Sequence, residues 1–135
     1  MYKNILVPMA IDHGQNIPQA LAVARALRAE GGKMTLLNVV EQLPAYVAHY
    51  LPDGQMASNI KDAETSLRAE IGGEKDIGIA VVSGHAGMTI TEYAAEMEND
   101  LIVIASHRPG LQDYFLGSTA ARVVRHASCA VHVVR

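Results

Sequence analysis

The chain has 135 residues, half of them hydrophobic, which suits one globular domain with a real core and excludes a disordered chain. No apolar run approaches the roughly 20 residues of a membrane span, and the opening MYKNILVPMA lacks the regions of a signal peptide. The net charge of −3 argues against general nucleic-acid binding, and the single cysteine, Cys129, excludes an internal disulfide. The expected setting is therefore the cytoplasm, without membrane insertion.

In chain order, Lys3–Val7 (KNILV) reads as a strand closed by Pro8. From about Asn16 to Glu30, Ile17, Leu21, Ala24 and Leu27 recur near helical spacing, and Gly31-Gly32 is expected to stop that helix. Met34–Val40 is a second strand, and residues 41–55, with two prolines and a glycine, form a long loop. Met56–Ile71 is a second helix ended by Gly72-Gly73, and Ile77–Ser83 a third strand. A third helix covers about Met88–Glu98, Leu101–Ala105 is a fourth strand, Ser118–His126 a fourth helix and Ala130–Val134 a fifth strand.

Strands alternate with helices, and runs such as LIVIA are apolar on both faces. That pattern predicts an α/β fold: an open, doubly wound, five-stranded parallel sheet with helices on both faces, in one domain over 1–135. In such sheets ligands bind beyond the carboxyl ends of the strands, near the switch point. The loops at 8–14, 39–46, 84–87 and 106–117 are the ones so placed.

Charge is uneven along the chain. Residues 1–104 carry a balance of −6 and residues 105–135 one of +3, from four arginines and Asp113. Within the cationic part, Gly117-Ser118-Thr119 opens a helix whose last turn holds Arg125 and His126. Ser and Thr suit a helix start, and the first turn offers free N–H groups to an anion. The hydroxyls of Ser118 and Thr119 add donors, and His107 and Arg108 follow the fourth strand. The same features also describe an ordinary capped helix. The stretch is not a Walker loop, because no lysine follows Gly117, and not a Rossmann fingerprint, whose glycines follow the first strand.

KNILVP, LLNVV, Gly84, DLIVIASHRPG, LGSTAARVVRHA and CAVHVV occur in order along the chain. Together they resemble the universal stress protein family over essentially the whole length, in a single-domain bacterial branch with SHRP and LGS motifs. The resemblance implies an adenine nucleotide alpha hydrolase-like (flavodoxin-like) sandwich. It also implies a regulatory module that binds ATP, with AMP or ADP as alternatives and Mg²⁺ carried by the phosphates. Pro8, Met9 and Ala10, with Asp12 and Val39, would meet the nucleoside. Gly84, Ser106, His107, Arg108, Gly110, Gly117, Ser118 and Thr119 would surround the rest of the ligand, the last three with Arg108 on the phosphates.

ATP-binding members carry Gly-x2-Gly-x9-Gly-Ser/Thr after the fourth strand. Here Ala105 and Arg108 stand at the first two glycines, eight residues separate Arg108 from Gly117, and Gly110 is shifted within the loop. The guanidinium of Arg108 suits phosphate and can compensate, while Pro109 stiffens the turn. After the first strand Ala10 falls where the family often has an aspartate; Asp12 either substitutes for it or caps the next helix.

The six histidines show no zinc-binding spacing, and no nucleophile elbow or triad is present. No metal or catalytic residue is assigned, and Asp113 reads as a loop aspartate. A receiver domain would need an aspartate ending the third strand and a late lysine; Val82-Ser83-Gly84 and the absence of lysine after Lys75 exclude it. The resemblance further implies a homodimer through Ala130–Val134, an apolar strand that would otherwise be a bare edge, and leaves room for a regulatory protein partner. The alternatives are a nucleotide-free dimeric interaction protein and, last, a slow ATPase.

Overall fold

The computed structural model describes residues 1–9, 17–41, 44–72, 74–106 and 117–135. The strands are β1 (Tyr2–Pro8), β2 (Arg28–Glu41), β3 (Ile77–Gly84), β4 (Leu101–Ala105) and β5 (Ala130–Val134). The helices are α1 (Ile17–Leu27), the short α2 (Ala45–Ala48), α3 (Gln55–Glu70), α4 (Ala86–Glu96) and α5 (Ser118–His126). All paired strands run parallel, in the order β3-β2-β1-β4-β5. The chain winds one way from β1 to β3 and then crosses back to β4, so the switch point lies between β1 and β4.

The strand period of two sorts the apolar residues into two cores. Ile5 and Val7 of β1, Met34 and Leu36 of β2, and Leu101 and Val103 of β4 face α1 and α3, meeting Ile17, Leu21, Ala24 and Leu67. Leu6, Leu37, Ile102 and Ile104 point the other way, onto Ile90 and Ala94 of α4 and Ala120 and Val123 of α5. The central strands are thus buried on both faces, as their unbroken apolar sequences require. In α1 the buried residues Ile17, Ala20, Leu21 and Ala24 form one stripe, and Pro18 sits in the first turn, where its missing N–H costs nothing.

The structure departs from the sequence expectation in several places. Residues 45–48, expected within the long loop 41–55, form the short helix α2, and α4 starts and ends two residues earlier than Met88–Glu98. Helix α1 ends at Leu27, and the chain becomes extended at Arg28 instead of running to the two glycines. Arg28 pairs with Tyr2 and Lys33 with Asn4, so β2 bulges between these pairs. Gly31 takes a φ of 76°, and a Cβ on Gly32 would lie 3.0 Å from the Tyr2 carbonyl oxygen. The glycines serve this bulge, and pairing with β1 outweighs the helix propensity of Arg28–Glu30. Helix α5 begins at Ser118 as expected, but its N-cap is Gly117, with no side-chain capping bond.

The amino edge of the sheet is pinned by polar groups. The Asp100 carboxylate accepts the N–H groups of Lys3 at 2.8 Å and Asn4 at 2.9 Å. Asn99 Nδ2 donates to Asn4 Oδ1 at 2.9 Å, and Asn4 Nδ2 donates to the Met97 carbonyl at 2.8 Å. This network closes the α4–β4 turn on the start of β1 and leaves the opposite edge to the loops.

Candidate functional site

At the carboxyl edge the chain is anchored on both sides of the switch point. Beyond β1, Met9 N–H donates to the Leu37 carbonyl at 2.8 Å, and buried Asn38 donates through Nδ2 to the Met9 carbonyl at 2.9 Å. Beyond β4, Ser106 N–H donates to the Val134 carbonyl at 3.0 Å, and Gly117 N–H to the Ser106 carbonyl at 3.4 Å. Pro8 and Met9 therefore stand on one side of the switch point and Ser106 and Gly117 on the other. Ala10, Asp12, His107, Arg108 and Gly110 lie outside the described residues, as do Pro109 and Asp113.

β2 continues past its last pair with β1, Leu37 with Pro8, through Asn38, Val39, Val40 and Glu41. These four residues pair with β3 on the other side, Val39 opposite Val82. Val39 is half-buried and packs on the α4–α5 core. Its backbone edge toward β1 thus extends beyond the shared ladder, next to Met9.

Gly117 touches the end of β4 closely enough that a Cβ would lie 3.3 Å from the Ser106 carbonyl oxygen. Its own carbonyl accepts the Ala121 N–H at 2.8 Å, the first bond of α5. The N–H groups of Ser118 and Thr119 precede that bond and have no acceptor inside the helix. Ser118 is exposed and Thr119 half-buried. Ser106 Oγ is buried and has no hydrogen-bond partner among the described residues. A glycine without side-chain bulk, an unpartnered hydroxyl beside it and a positive helix end form a set that fits a phosphate group.

Gly84 has a packing role. Its φ is +156°, and an added Cβ would overlap Thr89 Oγ1 in the first turn of α4. Thr89 N–H in turn donates to the His85 carbonyl at 2.8 Å. The glycine lets β3 pass directly into α4.

Glu41, His85 and Gly87 line a cleft of about 470 Å³ together with Ser118, Thr119 and Arg122. Arg125 and His126 continue its wall along α5. His85 is exposed and lies 3.7 Å from Glu41 Oε2, while Glu41 Oε1 accepts the Ala86 N–H at 3.3 Å. Ser118 and Thr119 lie here as the sequence suggests; Glu41 and Gly87 belong to the loops 39–46 and 84–87 expected at this edge but carried no assigned role, and Arg122 and Arg125 were not expected as neighbours. The spacing of Ser118, Arg122 and Arg125, four and seven residues along one helix, was the signal for the arginines. The sequence placed Gly87 only within the loop 84–87; the need for a glycine there comes from the stem of Arg122, which crosses it.

Among the described residues no group of three His, Cys, Asp or Glu side chains could hold a metal ion, and no helix is long and apolar enough to cross a membrane. The thiol of Cys129 is pushed above its ordinary range by burial, with the negative charge of Asp100 adding to the effect.

The sequence pattern of the universal stress protein family matches residues 1–135. The chain belongs to the universal stress protein family. It is 29% identical to universal stress protein G of Salmonella typhimurium, over 100% of both chains. Among solved structures it is similar to the universal stress protein UspA from Lactobacillus plantarum, with a TM-score of 0.72 and 30% identity over 99% of this chain and 98% of that one. It also shares its fold with a universal stress protein crystallised in complex with cAMP, with a TM-score of 0.62 and 23% identity over 99% of this chain and 97% of that one.

Proposed function

We propose that this protein is a cytoplasmic regulatory module that binds an adenine nucleotide at the carboxyl edge of its sheet and acts in a stress response through its association state or a protein partner. ATP is the expected ligand, AMP and ADP the alternatives, and Mg²⁺ would arrive with the phosphates. The observation that carries the reading is the start of α5. There Gly117 abuts the Ser106 carbonyl at a distance that leaves 3.3 Å for a Cβ, Ser118 and Thr119 present N–H groups and hydroxyls, and Ser106 Oγ is without a partner among the described residues. These groups would hold phosphate, and Arg108 would add a cation. The Met9 end of β1 and the overhanging Val39 would take the nucleoside, by backbone hydrogen bonds and apolar contact. The fold shared with a relative captured with cAMP supports an adenine ligand.

The residues in this arrangement bind and orient. The reading is therefore one of occupancy, with no turnover assigned. Dimerisation would use β5, whose outer edge is unpaired within the described chain and whose Val131 and Val133 are only half-buried. The test is Ser118→Ala combined with Arg108→Ala. Loss of two phosphate partners lowers nucleotide affinity about tenfold or more; unchanged affinity would remove the phosphate assignment.

One observation favours a second reading, a nucleotide-free dimeric interaction protein. Ala105 stands at a position where ATP-binding members have glycine, and it is the last residue of β4, paired with Val134. A protein that stays empty at millimolar ATP, yet dimeric, would select this reading.

A further inference from the structure

The cleft between the starts of α4 and α5 is larger than one phosphate needs, and its charge is one-sided. Ser118 and Thr119 form its mouth, and Arg122 and Arg125 follow one and two turns along the same helix. At 1.5 Å per residue, Arg122 lies about 6 Å and Arg125 about 10 Å along the axis from Ser118. Both arginines are exposed, and among the described residues neither they nor His126 form an ion pair. Among the described residues Glu41 is the one acid in the lining, and its two oxygens already face the Ala86 N–H and His85 Nδ1.

Arg122 is also partly fixed. A Cβ built on Gly87 would lie 2.7 Å from its Cδ and 3.0 Å from its Cβ, so the arginine stem lies across a floor kept bare by glycine. A stem held by packing loses less freedom when its guanidinium binds. Unpaired guanidinium groups aligned with a helix start are a receptor for a chain of phosphates, each able to accept paired N–H donors.

We infer that this cleft is a polyphosphate channel: it takes the distal phosphates of a nucleoside polyphosphate whose first phosphate sits at Ser118 and Thr119. The inference rests on the nucleotide reading given above for the location of that first phosphate. Arg122 and Arg125 then set the preference of the protein for a triphosphate over a monophosphate. Among the described residues the cations facing the phosphate chain are Arg122, Arg125 and, when protonated, His85 and His126, and the facing acid is Glu41.

The test is calorimetric titration of the full chain with tripolyphosphate, ATP and AMP, each with magnesium. Arg122→Gln/Arg125→Gln keeps side-chain size, and thermal melting checks its fold; the single variants replace it if the pair fails to fold. The expected result is a fall of about tenfold or more in affinity for tripolyphosphate and ATP, with AMP unchanged within about twofold. If ATP and AMP both bind and the variants weaken neither or both alike, the channel is overturned while the nucleotide reading stands. If tripolyphosphate binds and depends on the arginines but no nucleotide binds, the channel stands as a phosphate site and the nucleotide reading falls. If neither tripolyphosphate nor ATP binds the wild type, both fall.

Discussion

Replacing Gly84 by alanine should destabilise the protein for two separable reasons. The first is backbone strain: at φ +156° a side chain is disfavoured whatever the space around it, at a cost of about 1–3 kcal/mol. The second is overlap with Thr89 Oγ1, while the Thr89 Cβ and Cγ2 lie at an acceptable 3.5 and 3.6 Å; relieving such overpacking costs about 1–3 kcal/mol. Gly84→Ala should therefore lose about 2–6 kcal/mol. Thr89→Ala removes Oγ1 but not the φ requirement, so the double variant should recover only the overlap part, a coupling of about 1–3 kcal/mol. Urea denaturation of the wild type, both single variants and the double variant measures the cycle. A Gly84→Ala variant within about 0.5 kcal/mol of wild type, or a cycle with no coupling, would refute the account of the β3–α4 junction.

Three further outcomes follow from other parts of the fold. Asp100→Asn leaves one oxygen to serve the Lys3 and Asn4 N–H groups, so it should cost about 1–3 kcal/mol in urea denaturation; no change would mean the amino-edge network adds no stability. Because burial first, and Asp100 second, raise the thiol of Cys129 above its ordinary 9.0, the folded state resists thiolate formation. Its contribution to stability is present below that value and is lost as pH climbs through the folded value. Thiolate absorbance should thus appear at higher pH in folded than in urea-unfolded protein, and an inverted order would contradict the burial argument. Removing residues 130–135 should give monomeric or insoluble protein on size-exclusion chromatography; a soluble truncated dimer would remove β5 from the interface.

Much of the architecture was legible because parallel strands buried on both faces must be apolar without interruption. Leu101–Ala105 and Ala130–Val134 are bounded as their sequences suggest, and α5 spans Ser118–His126 as its glycine and final basic residues indicate. Gly31-Gly32 was misleading because local helix propensity carries no record of Tyr2, the distant backbone that draws Arg28 into the sheet. Gly84 matched a family motif, yet its place next to Thr89 is a packing requirement that only the approach of β3 to α4 reveals. The site was half legible for the same reason. Ser118 and Thr119 announce themselves by helix-start chemistry, whereas Glu41 and Gly87 join them only when α4 and the end of β2 fold against α5.

The central claim is that the carboxyl edge between β1 and β4 holds an adenine nucleotide. Calorimetric titration of Mg-ATP into nucleotide-stripped protein, at two temperatures so that a zero enthalpy at one does not hide binding, tests it most directly. The account predicts micromolar binding, about −8 kcal/mol, near one nucleotide per chain. The absence of heat up to millimolar ATP at both temperatures would contradict it.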